Sequence, residues 1–298
     1  MSAANGTPAT DIADAPRASI LDRIPVRFVV AALVIAGLIA IGLAMEAGKN
    51  QDRQNIYVLL SLPASILVQI FLNRRPIRAL WVRDAPPFRL DTMGIALALL
   101  IAVAPVLTAI RDARHENWVF VAYDIVAIGG AFAAAYAIRA MTRETFRQLG
   151  LCLATAGVIG IGLNILHDIE IGIRDHYFQP LTRGDLDIGL AAFFLYLPAL
   201  FVVEEVLFRG AIDSYVHRPG EGTGWLSALF VSMLWGWWHV PVFYPELPLW
   251  EAAIAVLPMQ VLVGVPLSLW WRRSGNLAVS GVTHALNDSV RNALTGVP

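Results

Sequence analysis

Long apolar runs, separated by short charged connections, dominate this chain. Nine of them, at residues 28–45, 56–72, 93–110, 118–138, 149–166, 188–208, 225–243, 252–271 and 277–294, predict helices. Several reach the roughly 18–20 residues that an α-helix needs to cross a bilayer core. The pattern therefore predicts an all-α polytopic transmembrane bundle of about eight or nine spans. Two runs depart from the rest. Residues 188–208 carry Glu204 and Glu205. Residues 277–294 are interrupted by His284, Asn287, Asp288 and Arg291, as expected of a helix packed inside the bundle and shielded from lipid.

Composition strengthens this reading. The 298 residues are 57% hydrophobic and 15% charged, more apolar than a soluble core requires. A net charge of −1 gives no global basic field to attract nucleic acid. Cys152 is the single cysteine, so no internal disulfide forms, and its apolar setting marks an inert thiol. Residues 1–27 are polar and rich in Ala, Asp, Pro and Arg, and read as a disordered cytoplasmic tail. Residues 28–45 read as a span rather than a signal peptide, because Ala44-Met45-Glu46 is a poor cleavage site. With the N-terminus inside, the tail and the connections at 73–92, 139–148, 210–224 and 272–276 carry 14 Lys and Arg, against 7 on the other side. That bias predicts a cytoplasmic N-terminus. Residues 73–92 mix five arginines with Leu80, Trp81 and Phe88, and predict an interfacial segment on the cytoplasmic surface. The chain thus divides into the tail, N-terminal transmembrane helices without an assigned role at 28–184, and a core at 185–298. Composition points to a bacterial cytoplasmic membrane.

Charged side chains at membrane depth are costly and mark function by default. Adjacent helical residues point about 100° apart, so Glu204 and Glu205 cannot face one partner. Glu205 and Arg209 are four apart and can pair, which leaves Glu204 as the carboxylate available for base chemistry. His239 ends Trp-Gly-Trp-Trp-His, whose Trp235, Trp237 and Trp238 would ordinarily pack or anchor. His284 and Asp288 are again four apart, with Asn287 beside them. Such a pair fixes an imidazole tautomer or holds a polarised oxygen. Buried ion pairs are often architectural. Three neighbouring spans that each carry such groups, where most other spans carry none, point instead to one centre. His and carboxylates also bind zinc, but no H-E-x-x-H helix is present. No G-x-S-x-G is present either, and nothing in sequence activates Ser232 or Ser289. The expectation is a centre without metal or other cofactor. Glu204 falls near the cytoplasmic end of its run and His239 well along the next, so helices must tilt, extend or break for them to meet. Pro241, Pro245 and Pro248 would give an irregular end after His239.

In these residues the chain resembles the CAAX prenyl protease and bacteriocin-processing group, the CPBP or ABI family of intramembrane glutamate proteases. That family shows E-E-x-x-x-R, F-x-x-x-H and H-x-x-x-N or H-x-x-x-D in order on successive helices. Glu204, Glu205 and Arg209 complete the first motif, and His284 and Asp288 the third. In the second, Trp235 stands where Phe is usual, before His239. The segment Arg272–Asp288, RRSGNLAVSGVTHALND, is also similar to the family's approach to its third motif. The resemblance covers about residues 185–292. It implies peptide-bond hydrolysis, with Glu204 activating water and His239 helping to hold it. By the same resemblance His284 and Asp288 would stabilise the oxyanion or orient the carbonyl, and Glu205 and Arg209, with Asn287, would support them. The implied partners are a membrane-associated protein or peptide substrate and the lipid bilayer. Two other classes stay open: a non-enzymatic membrane protein in bacteriocin immunity or regulation, and a transporter with a midplane ion site. The absence of inverted repeats speaks against the second.

Overall fold

The computed structural model describes residues 20, 23–84, 89–176, 182–218, 220–222, 224–244 and 246–296. Most of the expected tail, together with Phe88 and Pro245, lies outside the described residues. Helices are the regular elements of the described residues, which form no strand; Val82 and Asn276 make one isolated bridge. The long helices are α1 (Ile24–Ala44), α2 (Gln51–Asn73), α3 (Thr92–Arg114), α4 (Trp118–Arg139), α5 (Arg143–Arg174), α6 (Arg183–Leu200), α7 (Trp225–Trp238), α8 (Leu249–Ser274) and α9 (Leu277–Thr295).

Seven helical stretches among the described residues are long and apolar enough to cross a membrane: α1 to α5, α7 with its short extension to Phe243, and α8. Exposed Met93, Leu99, Leu100, Val103 and Leu107 on α3 are typical of their outward faces. Such faces suit hydrocarbon, because each helix satisfies its own backbone polar groups. The runs expected at 188–208 and 277–294 are not among the seven. They form α6 with the segment that follows it, and α9; α6 and α9 pack on one another. In α9 the polar face is turned inward: Ser280, Thr283, His284, Asn287, Ser289 and Asn292 are all buried. Small and polar residues allow close helix approach and hydrogen bonding where lipid supplies no hydrophobic drive.

Two expectations about the first third change. Ile24–Arg27 belong to α1 rather than to a tail, and Arg27 is buried, where it pairs with Glu221 and lies 3.5 Å from the Tyr215 carbonyl. The arginine-rich stretch after α2 does not merely lie on a surface. Leu80 is fully buried, and the Trp81 indole N–H donates to the Phe201 carbonyl at 2.6 Å. The same stretch clamps the start of α9, through Leu277 N–H to the Trp81 carbonyl and Arg83 N–H to the Gly275 carbonyl, both 2.8 Å. Asn276 caps α9 by accepting from the Ala278 N–H at 2.9 Å and donates to the Ala137 carbonyl at 2.8 Å. The entry of α9 is thereby fixed against α4.

Candidate active site

The run 188–208 is not one helix. Pro198 lies in the last turn of α6, turns replace the helix at 201–203, and a π-helical segment follows at Val206–Asp213. The break lets the backbone of α4 approach closely. A Cβ on Gly130 would stand 2.0 Å from the Pro198 carbonyl oxygen, so only glycine fits there. The Trp81 indole meets one carbonyl that the break releases. This irregular stretch carries Glu204 and Glu205 into the bundle, the geometry that a straight span could not supply.

The second motif ends α7. Pro241 and the single turn residue at His239 disrupt the helical ladder: the Val242 N–H bonds the His239 carbonyl, and the Trp238 carbonyl accepts from the buried Tyr57 hydroxyl at 2.7 Å. Tyr57 and Trp238 also stack, with centroids 5.3 Å apart. His239 Nδ1 lies 2.9 Å from the Trp235 carbonyl. A carbonyl only accepts, so Nδ1 carries the proton, and Nε2 faces Glu204 Oε2 at 3.6 Å. Glu204 Oε2 also accepts from the Trp235 indole N–H at 2.8 Å.

Glu205 turns the other way, as the 100° step requires. Its Oε1 accepts from His284 Nδ1 at 3.0 Å, and the expected Arg209 partner is looser, with Nε at 3.9 Å. The π winding explains the difference, because widening the turn takes residues four apart off a common face. Arg209 is fully buried and lies over the Trp235 ring, 4.8 Å from its centroid. The far nitrogen of His284, Nε2, faces Asp288 Oδ2 at 3.5 Å, and Asp288 Oδ1 pairs with Arg291 Nη1 at 3.2 Å. Asn287 turns toward α5, where its side-chain amide donates to the Ala156 carbonyl at 3.4 Å and its main-chain carbonyl accepts from the Asn164 side chain at 2.9 Å. A Cβ on Gly160 would collide with the Asn287 side chain at 2.3 Å.

Glu204, Trp235, His239, His284, Asn287 and Asp288 all line one cavity of about 630 Å³. Glu205 and Arg209 lie behind its wall, 1% and 0% exposed. Ser232 and Ser289 donate to carbonyls of their own helices at 2.8 Å, and Cys152 is buried. Among the described residues no three His, Cys, Asp or Glu side chains are grouped as metal ligands. Sequence reasoning treated Trp235 as packing and left Arg291 without a role. The i, i+4 spacing of Trp235 and His239 was the signal available for the first, and the i, i+3 spacing of Asp288 and Arg291 for the second.

Residues 187–290 match the family model described as Type II CAAX prenyl endopeptidase Rce1-like. Over this stretch the chain is similar to the CAAX protease family. The match contains all three motifs, from the broken end of α6 to the middle of α9. No curated protein and no solved structure matches the chain. With seven helices suited to a bilayer, the CAAX-protease-like chain is an integral membrane protein.

Proposed function

We propose that the chain is an intramembrane endopeptidase that cuts a membrane-associated protein or peptide, with Glu204 as general base on water and no metal ion. The observation that carries this reading is the placement of Glu204 on the wall of a cavity, held by the Trp235 N–H at 2.8 Å and faced by His239 Nε2 at 3.6 Å. Glu204 takes a proton from a water whose other contact is the Nε2 lone pair, and the resulting hydroxide oxygen bonds to the scissile carbonyl carbon. His284 lies between the carboxylates of Glu205 and Asp288, which favour a proton on each ring nitrogen. The positive imidazole then stabilises the oxyanion through its charge, both N–H groups being directed at Glu205 and Asp288. As the intermediate collapses, the C–N bond breaks and the Glu204 carboxyl passes its proton to the leaving amine. Asp288 orients His284, and Glu205, Arg209 and Asn287 support the wall. A bacterial cytoplasmic membrane with the N-terminus inside completes the proposal, supported by the Lys and Arg distribution.

The test compares wild type with Glu204→Ala in the native cell, reading membrane-protein fragments by N- and C-terminal peptide mass spectrometry. Fragments present only with wild type are expected. Identical fragment sets from equally abundant, folded proteins would overturn the reading.

A further inference from the structure

The cavity reaches beyond the motif residues to a second carboxylate that the proposed mechanism does not use. Asp124 on α4 lines the same cavity as Glu204 and is 7% exposed. No donor among the described residues reaches its Oδ2. Thr108 faces it from α3, but the threonine hydroxyl donates to its own helix, to the Ala104 and Pro105 carbonyls at 3.2 and 3.1 Å. Arg111, whose charge acts on Asp124, is already held by Asp112 through contacts of 3.0 and 3.4 Å. Asp124 is therefore a buried acid whose Oδ2 has no hydrogen-bond donor among the described residues. Two further residues that line the cavity, Asn287 and Gln260, also have a buried side-chain oxygen without a donor among the described residues.

A wall that holds a buried carboxylate does not suit a lipid chain. It suits a polypeptide, whose N–H groups and cationic side chains are donors. Buried acceptors left unpaired are costly, and a cation brought by the ligand would remove that cost.

We propose that Asp124 is a specificity subsite that binds a lysine or arginine side chain of the polypeptide cut at Glu204. The inference rests on the endopeptidase reading for the fate of the peptide, but the subsite is read by binding alone. The probes are acetylated, amidated Ala-Leu peptides with lysine at one position, scanned along the peptide, each paired with its norleucine counterpart. Binding is measured on the full chain carrying Glu204→Gln in detergent micelles. At one or more positions the lysine peptide is expected to bind about tenfold tighter, the scale of a charge-assisted hydrogen bond. Adding Asp124→Asn should erase the preference, and Asp124→Glu should retain part of it, with the ligand-free unfolding temperature unchanged in the Asn variant. Equal binding at every position, a preference that survives Asp124→Asn, or stabilisation by Na⁺ or Ca²⁺ with no lysine preference would overturn the subsite. A lysine preference together with identical fragment sets from wild type and Glu204→Ala cells would sink the endopeptidase reading and spare the subsite.

Discussion

The two adjacent glutamates make opposite demands on the protein. Glu205 is buried against Arg209 and His284, whereas Glu204 reaches the cavity and is 19% exposed. Removing one charge of a buried cluster leaves the others uncompensated, at a cost of about 3–5 kcal/mol. Glu205→Gln should therefore lower the unfolding temperature of the purified protein by many degrees, while Glu204→Gln leaves it close to wild type. Equal destabilisation by the two substitutions would show that Glu204 is also structural. The divergence of the two side chains was legible in the sequence, because it follows from the 100° step alone. Their partners were not. The Glu205–Arg209 spacing predicts a close pair on a regular helix, but the segment is π-wound and His284 takes the nearer place.

At the scale of elements, the site depends on the interruption between α6 and the π-helical segment. Pro198 marks it in the sequence, and Gly130 on α4 makes room for it. Gly130→Ala puts a methyl against a backbone oxygen, and overpacking of this kind costs about 1–3 kcal/mol. Gly129→Ala is the matched control, since nothing lies within 4 Å of its added Cβ. The expected result in thermal unfolding is a lower transition for the first variant only, accompanied by loss of cleavage. A Gly130→Ala protein as stable and active as wild type would remove the close packing from the account. Helices were legible as apolar runs, their roles only in part. The polar residues of 277–294 marked it in advance as an interior helix, whereas hydropathy did not show that the run at 188–208 breaks and turns Glu205 to His284.

Across the whole molecule, the end of the bundle away from the long cavity is tied by charge. Arg272 pairs with buried Asp213, Arg27 pairs with Glu221, and His217 sits 3.9 Å from Glu221. Burial, reinforced by Arg272, holds the His217 imidazole below its ordinary 6.5. Hydrogen bonding and charge from Arg27 hold Glu221 below its ordinary 4.5, against the opposing effect of burial. Both groups bind fewer protons in the folded state than in the unfolded one, so stability falls on acidification. The His217 part is fully present above pH 6.5 and is lost as pH falls through its folded value; the Glu221 part follows below pH 4.5. His217→Gln should flatten the upper part of a melting-temperature profile and leave the lower part. A wild-type profile that is flat or rising on acidification below pH 6.5 would refute the argument. The sequence by itself determined the membrane-embedded helical class, the three motifs and the separation of Glu204 from Glu205, because run length and angular step are local properties. Only the tertiary structure decided that Trp235 holds Glu204, that His284 bonds Glu205, and that Asp124 shares the cavity wall. Those pairings join helices far apart in sequence, and packing alone sets which of their faces meet.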